Sequence, residues 1–218
     1  MSLSYPNLMV ILEHMDPNVR FNLHLTCPAF RDIEKRAPLR IQSLDFDTLS
    51  FSMNSVDYQI RRFQKYVGDD PKHYKSYHET NGYPTDNDYI RLSLFREGKA
   101  FKTENLVYIT SIWNAVRYLT RKFLSGREVL KVNTLKISSE HLIRLPEDLR
   151  IKTSILEHLS KKGGFDEIST IIAPESYPLK SYTTYQSNVR SHPLLRYSEL
   201  IIHSETLIDD RIAPTGWF

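Results

Sequence analysis

Four prolines divide the first forty residues at nearly equal intervals. In SYPNLMVILEHMDPNVRFNLHLTCPAFRDIEKRAPLRI, residues 4–41, Pro6, Pro17 and Pro28 lie eleven residues apart and Pro38 follows ten later. Proline breaks a helix interior but is tolerated in the first turn, where its missing N–H has no intrahelical partner. The spacing therefore predicts three short helices, each opened by a proline, and excludes one long helix. Ser4 caps the first, which runs to about His14. Asp16 caps the second, with Pro17 at its first position. Thr26 or Cys27 precedes Pro28, which opens a third helix ending before Pro38.

The apolar spacing agrees. Leu8, Ile11, Leu12 and Met15 form one helical stripe, Phe21 and Leu25 a second, Phe30 and Ile33 a third. Helices of nine or ten residues are marginal alone in water. Each must bury its stripe against the others or against a partner, and about forty residues is near the lower limit for an independent core. Cys27, between Leu25 and Phe30, reads as a small buried apolar residue. It is the only cysteine, so no internal disulfide forms and a reducing compartment fits.

From Leu39 the apolar period changes to two. Leu44, Phe46, Leu49, Phe51, Met53, Val56, Tyr58 and Ile60 alternate with polar neighbours, and Asn54-Ser55 marks a turn, which predicts two or three strands joined by hairpins. Residues 64–88 carry turn residues, charges and tyrosines without a sustained period and read as a long polar loop. Thr103 is expected to cap a long amphipathic helix with Leu106, Ile109, Trp113, Val116, Leu119 and Phe123 on one stripe and Gly126 as its stop. Gly163-Gly164, after Lys161 and Lys162, reads as another helix stop.

Four extended candidates follow, centred on Leu135, Leu156, Leu179 and Leu200, with spacings of 21, 23 and 21 residues. That falls in the leucine-rich-repeat range of about 20–29. Four unrelated strands of an α/β domain give the same spacing. The fold class is thus α+β. A three-helix module occupies 1–40, a β-rich segment 41–102, and a long helix with leucine-rich-repeat-like α/β units 103–218.

ILEHMDPNVRFNLHLTCPAFRDI resembles the F-box, the three-helix module that docks on a Skp-type adaptor of cullin-RING ubiquitin ligases. Ile11-Leu12 and Met15 match its first-helix residues, and Asp16-Pro17 its common turn. Leu23 and Leu25 match its second-helix leucines, while Cys27, Phe30, Arg31 and Ile33 fall on its ending. Tyr5-Pro6 stands two residues late for the usual opening Leu-Pro, Pro28 replaces a basic residue, and Phe30 replaces a tryptophan. EKRAPLRIQSLDF, NAVRYLTRKFLSGR, VNTLKI and ESYPLK extend the similarity to nematode proteins of the F-box C kind, whose downstream region is a domain of unknown function. Such proteins often run longer, so the end at APTGWF reads as a shortened or divergent member; a stack ending there needs Trp217 and Phe218 to cover its last layer, or else exposes an edge.

The resemblance implies a non-catalytic adaptor that recruits a protein substrate for ubiquitin transfer. It places adaptor docking on Tyr5, Pro6, Leu8, Ile11, Leu12, Met15, Pro17, Leu23, Leu25, Phe30 and Ile33. The partners implied are a Skp-type adaptor and an unidentified protein substrate, with no cofactor, metal or membrane. A rival reading keeps protein interaction but packs the helices on the chain's own α/β domain, with no ubiquitin role.

Chemistry-bearing patterns are sparse. Seven glycines do not build a phosphate-binding loop, His73 and His78 have no zinc spacing, and Asp86 and Asp88 lack the glycine and glutamate of a calcium loop. There is no G-x-S-x-G or H-E-x-x-H segment. KHYKSYH has the basic and aromatic mix that stacks on single-stranded nucleic acid, but Asp69 and Asp70 dilute it. A net charge of +3 does not by itself call for a nucleic-acid partner. The apolar run Leu8–Leu12 is too short for a membrane span, and an intracellular, cytoplasmic or nuclear protein is expected.

Overall fold

The computed structural model describes residues 5–64, 75–77, 88–106, 111–138, 145–160, 165–185 and 192–203. Helices α1 (Tyr5–His14), α2 (Pro17–Thr26) and α3 (Arg31–Arg36) come first, with a 3-10 turn, Pro28–Phe30, leading into α3. Asp16 caps α2: its Oδ1 accepts from the N–H groups of Asn18 (2.9 Å) and Val19 (3.3 Å), with Pro17 behind it. Pro17 and Pro28 thus open helical turns, where a missing N–H costs no bond, and Pro38 lies between α3 and β1.

Among the described residues the remainder is built on one ten-stranded mixed sheet. Its strands are β1 (Arg40–Phe46), β2 (Ser50–Met53), β3 (Val56–Gln64), β4 (Lys75–Tyr77), β5 (Asp88–Arg96), β6 (Lys99–Leu106), β7 (Leu130–Ile137), β8 (Ile151–His158), β9 (Ser181–Thr184) and β10 (Leu200–His203). The spatial order is β10-β9-β8-β7-β1-β2-β3-β5-β6, with β4 beside β3. β1 divides the sheet. On one side β7, β8, β9 and β10 all run parallel, and on the other β2, β3, β5 and β6 form an antiparallel meander.

Two-residue turns set the meander's register. Asn54 has φ 54° between the paired Met53 and Val56, and its Oδ1 accepts from the N–H groups of Gln42 and Ser43. Glu97 (φ 51°) and Gly98 (φ 74°) join Arg96 to Lys99. Two successive left-handed residues match the twist of the strands they connect, and glycine adopts that conformation without strain.

Helix α4 (Ile112–Leu124) crosses from the meander to the parallel half. Its buried stripe, Ile112, Ala115, Val116, Leu119 and Phe123, packs into one core with Leu44, Phe51, Tyr58, Leu135 and Leu156 of the sheet. Gly126 follows its end with φ 74°, the conformation expected of a helix stop. The short α5 (Phe165–Ser169) buries Phe165 and Ile168 in the same core.

Four expectations need correction. The helix does not start at Thr103: Lys99–Leu106 is a strand whose backbone pairs with β5, from Arg96↔Lys99 to Ile90↔Leu106. β6 is exposed on both faces, so no alternation marked it as a strand, while Leu106, seven residues before Trp113 of α4, happened to continue that helix's stripe. Lys75–Tyr77, within the predicted polar loop, pairs with β3, and β5 begins at Asp88. The parallel ladder runs Leu44–Leu135–Leu156–Tyr182–Ile201, so Leu179 and Leu200 are not the third and fourth centres. Leu179 is fully buried just before β9, where it fills the core from a connection. Cys27 is exposed, because it terminates α2 on the outer side of the helices instead of pointing inward. His73, His78, Asp69, Asp70, Asp86, Gly163, Gly164, Trp217 and Phe218 lie outside the described residues.

Candidate docking surface of the N-terminal helices

Arg20 on α2 decides how the three helices are held. It is fully buried, and its guanidinium donates to the carbonyls of Leu12 (3.0 Å), Glu34 (2.8 Å), Ala37 (3.0 Å) and Pro38 (2.6 Å) and to Glu34 Oε1 (3.1 Å). One planar, five-donor group therefore satisfies the end of α1 and the end of α3 together. Arg127, beyond α4, places Nη2 2.5 Å from the same Glu34 oxygen. His24 Nδ1 lies 3.3 Å from Glu34 Oε2 without the alignment of a hydrogen bond. Burial pulls both Arg20 and His24 below their ordinary pKa values, against the opposing pull of Glu34.

Helix α2 also docks on the sheet. Phe21 stacks on Phe123 and meets Tyr58 edge-on, in a cluster completed by Phe51. The Tyr58 hydroxyl donates to Asn18 Oδ1 (2.6 Å), and Asn18 Nδ2 donates to the Met53 carbonyl (3.1 Å). Burial raises the Tyr58 phenol well above its ordinary value, so it stays a neutral donor. Arg40 of β1 pairs with Glu13 of α1.

These anchors sort the residues expected to dock. Leu12 (0% exposed) and Pro17 are buried, and both are closed to a partner in this conformation. Leu8, Met15, Leu23, Phe30 and Ile33 are half-buried, while Pro6 and Ile11 are exposed. The side chains of Tyr5 and Leu25 lie outside the described residues. Val10 (57% exposed) and Val19 (48%) are open apolar positions that the sequence reading missed. Val10 sits beside the Leu8–Ile11–Leu12 stripe, and a stripe read only at i, i+3, i+4 assigns it to the solvent side. The surface can bind apolar groups; among the described residues it holds no cluster of histidine, cysteine and carboxylates suited to a metal.

Residues 111–213 match the family model described as "Domain of unknown function (DUF3557)". The match opens at Ser111, the residue before α4, and takes in the four parallel strands β7 to β10. It does not include the N-terminal helices or β1 to β6. No curated protein and no solved structure matches the chain. Among the described residues no helix is long and apolar enough to cross a membrane.

Proposed function

We propose that the protein is a non-catalytic, substrate-recruiting adaptor that docks on a Skp-type partner through its N-terminal helices, in the manner of F-box proteins, and holds a protein substrate on its α/β part. The observation that supports this reading is α1 with its turn into α2. Ile11 and Val10 stand open beside half-buried Leu8 and Met15, next to an Asp16-Pro17 corner of the F-box pattern. Partner grooves take apolar helix faces through a few such anchors, and little charge is needed.

Co-purification of the full chain with a Skp-type adaptor tests it. Ile11→Asp is the informative variant, because Ile11 is exposed and its change leaves the fold intact; Leu12→Asp would unfold the buried contact instead. We expect wild type to be captured and Ile11→Asp to lose capture while keeping its melting temperature. Absence of wild-type capture, or equal capture of both, refutes the reading.

A second reading has an observation of its own. The Arg20–Glu34–Arg127 cluster and the Phe21–Phe123 stack bind the helices to the chain's own domain. On that reading the module serves another protein partner without ubiquitin, and adaptor capture is absent from the start.

A further inference from the structure

The open face of the parallel strands carries a trough of about 940 Å³. Where β1, β7 and β8 begin, Ile41, Val132 and Thr153 are buried, while Arg40, Lys131 and Lys152 are exposed. The three cations stand in one row, Arg40↔Lys131↔Lys152, in columns about 4.8 Å apart. The His14–Pro17 corner forms one wall and Glu175–Lys180 the other, bringing Lys180 to the start of β9.

Hydrogen bonds and ion pairs within the trough engage several of its acceptors and fewer of its donors. Glu13 is paired with Arg40 and also feels the Lys131 charge, and Asp16 Oδ1 accepts from the first N–H groups of α2. Asn54 Oδ1 accepts from Gln42 and Ser43, and Asn133 Oδ1 from the Ser154 hydroxyl (3.3 Å). The ammonium groups of Lys131, Lys152 and Lys180 form no ion pair with any described residue, and the side-chain amides of Asn54 and Asn133 are left as donors. Among the described residues Asp16 and Glu175 are the wall carboxylates without an ion pair, and the three lysines outnumber them. The three lysines spread from β7 to the start of β9, about 10 Å, which one carboxylate or phosphate cannot span. Side chains on one face of an extended peptide recur about every 6.6 Å, and two or three successive ones reach across that distance.

We infer that this trough holds an acidic, extended segment of a partner polypeptide, its carboxylates received by Lys131, Lys152 and Lys180 and the amides of Asn54 and Asn133. The inference rests on the reading of the protein as a recruiter of a protein substrate, and it supplies the surface that holds that substrate. Fluorescence anisotropy with the full chain tests it, using a labelled eight-residue peptide with glutamate at alternate positions and its glutamine counterpart. The glutamate peptide should bind and the glutamine peptide should not. The pair Lys131→Glu and Lys152→Glu should weaken binding at least about tenfold, two charge contacts being reversed. The charge-matched pair Lys99→Glu and Lys102→Glu, on β6, should change it less than about twofold.

Equal binding of both peptides overturns the inference, as does an equal loss in the β6 variant. Lysine-dependent binding of inorganic tripolyphosphate alone, with both peptides silent, overturns it too, since the site would then take a small anion. Adaptor capture is measured on the same preparations. Peptide binding without capture refutes the adaptor reading and leaves the trough standing; capture without peptide binding does the reverse.

Discussion

Replacing Glu34 by glutamine removes one charge from a site that buries two guanidiniums. Glu34 is 2% exposed, Arg20 0% and Arg127 7%, and one carboxylate oxygen lies 2.9 Å from Arg20 Nη2 and 2.5 Å from Arg127 Nη2. Removing one partner of a buried ion pair costs about 3–5 kcal/mol, because an uncompensated charge stays behind. The four carbonyls around Arg20 keep its guanidinium from being bare, which places the loss near the lower end, about 3 kcal/mol. For a chain of this size that lowers the melting temperature by about 6–12 °C. Urea denaturation should show a lower midpoint at an unchanged slope. Hydrogen exchange should quicken first in α1 and α3, whose ends Arg20 ties together. A loss below about 1 kcal/mol would refute the reasoning, since the carbonyls alone would then suffice to hold both cations.

Phe123→Ala should destabilise by about 3–5 kcal/mol, because it empties the centre of the Phe21–Phe51–Tyr58 cluster; urea melts check this, and a loss below about 1 kcal/mol would mean the ring is not packed there. His158 is buried beside the Tyr182 hydroxyl (3.3 Å), and burial lowers its pKa to about 4. Its unfolded state therefore binds the proton first as pH falls. The stabilisation is fully present above about 6.5 and is lost toward pH 4, roughly 3 kcal/mol in all. His158→Gln should flatten the fall in unfolding free energy between pH 7 and 4.5 without abolishing it, since burial lowers His24 as well; an unchanged profile in the variant rules out this role for His158. Asn54→Ala should cost about 2 kcal/mol through two lost backbone contacts and a left-handed alanine, whereas Asn54→Gly should recover the strain but not the contacts.

The three N-terminal helices were legible because proline chemistry is local: Pro17 behind an Asp16 cap requires nothing beyond its neighbours. The Asn54 turn was legible for the same reason. β6 was not, because its stability comes from pairing with β5 and its side chains face solvent on both sides. The 21-residue rhythm located β7 and β8 but misplaced the later centres by one to three residues, since β9 and β10 are aligned by backbone pairing and Tyr182 takes the position that leucine holds in its neighbours. Nothing in the sequence pointed to Arg20. A lone arginine in PNVRFNLHLT reads as solvent-facing, and its role depends on Glu34 and on Arg127, more than ninety residues away. The lysine row of the trough was hidden likewise, because only strand register brings Lys131 beside Lys152.

The buried cluster also bears on how the two readings of the helices relate. Packing on the chain's own domain and docking on a partner are usually set against each other, but in the docking proposed above they would use different faces. Arg20, Phe21, His24 and Asn18 turn α2 toward the sheet and α3, while Val10 and Ile11 stand open on α1. Ten-residue helices free in solution would have to be ordered at the moment of binding, and that ordering would be subtracted from the affinity. On the proposed docking, helices already fixed by a five-donor guanidinium and an aromatic stack would meet the partner preformed. The internal anchor is then a condition for a strong external dock, and a variant that loosens it, such as Glu34→Gln, should weaken partner capture even though Glu34 itself is out of the partner's reach.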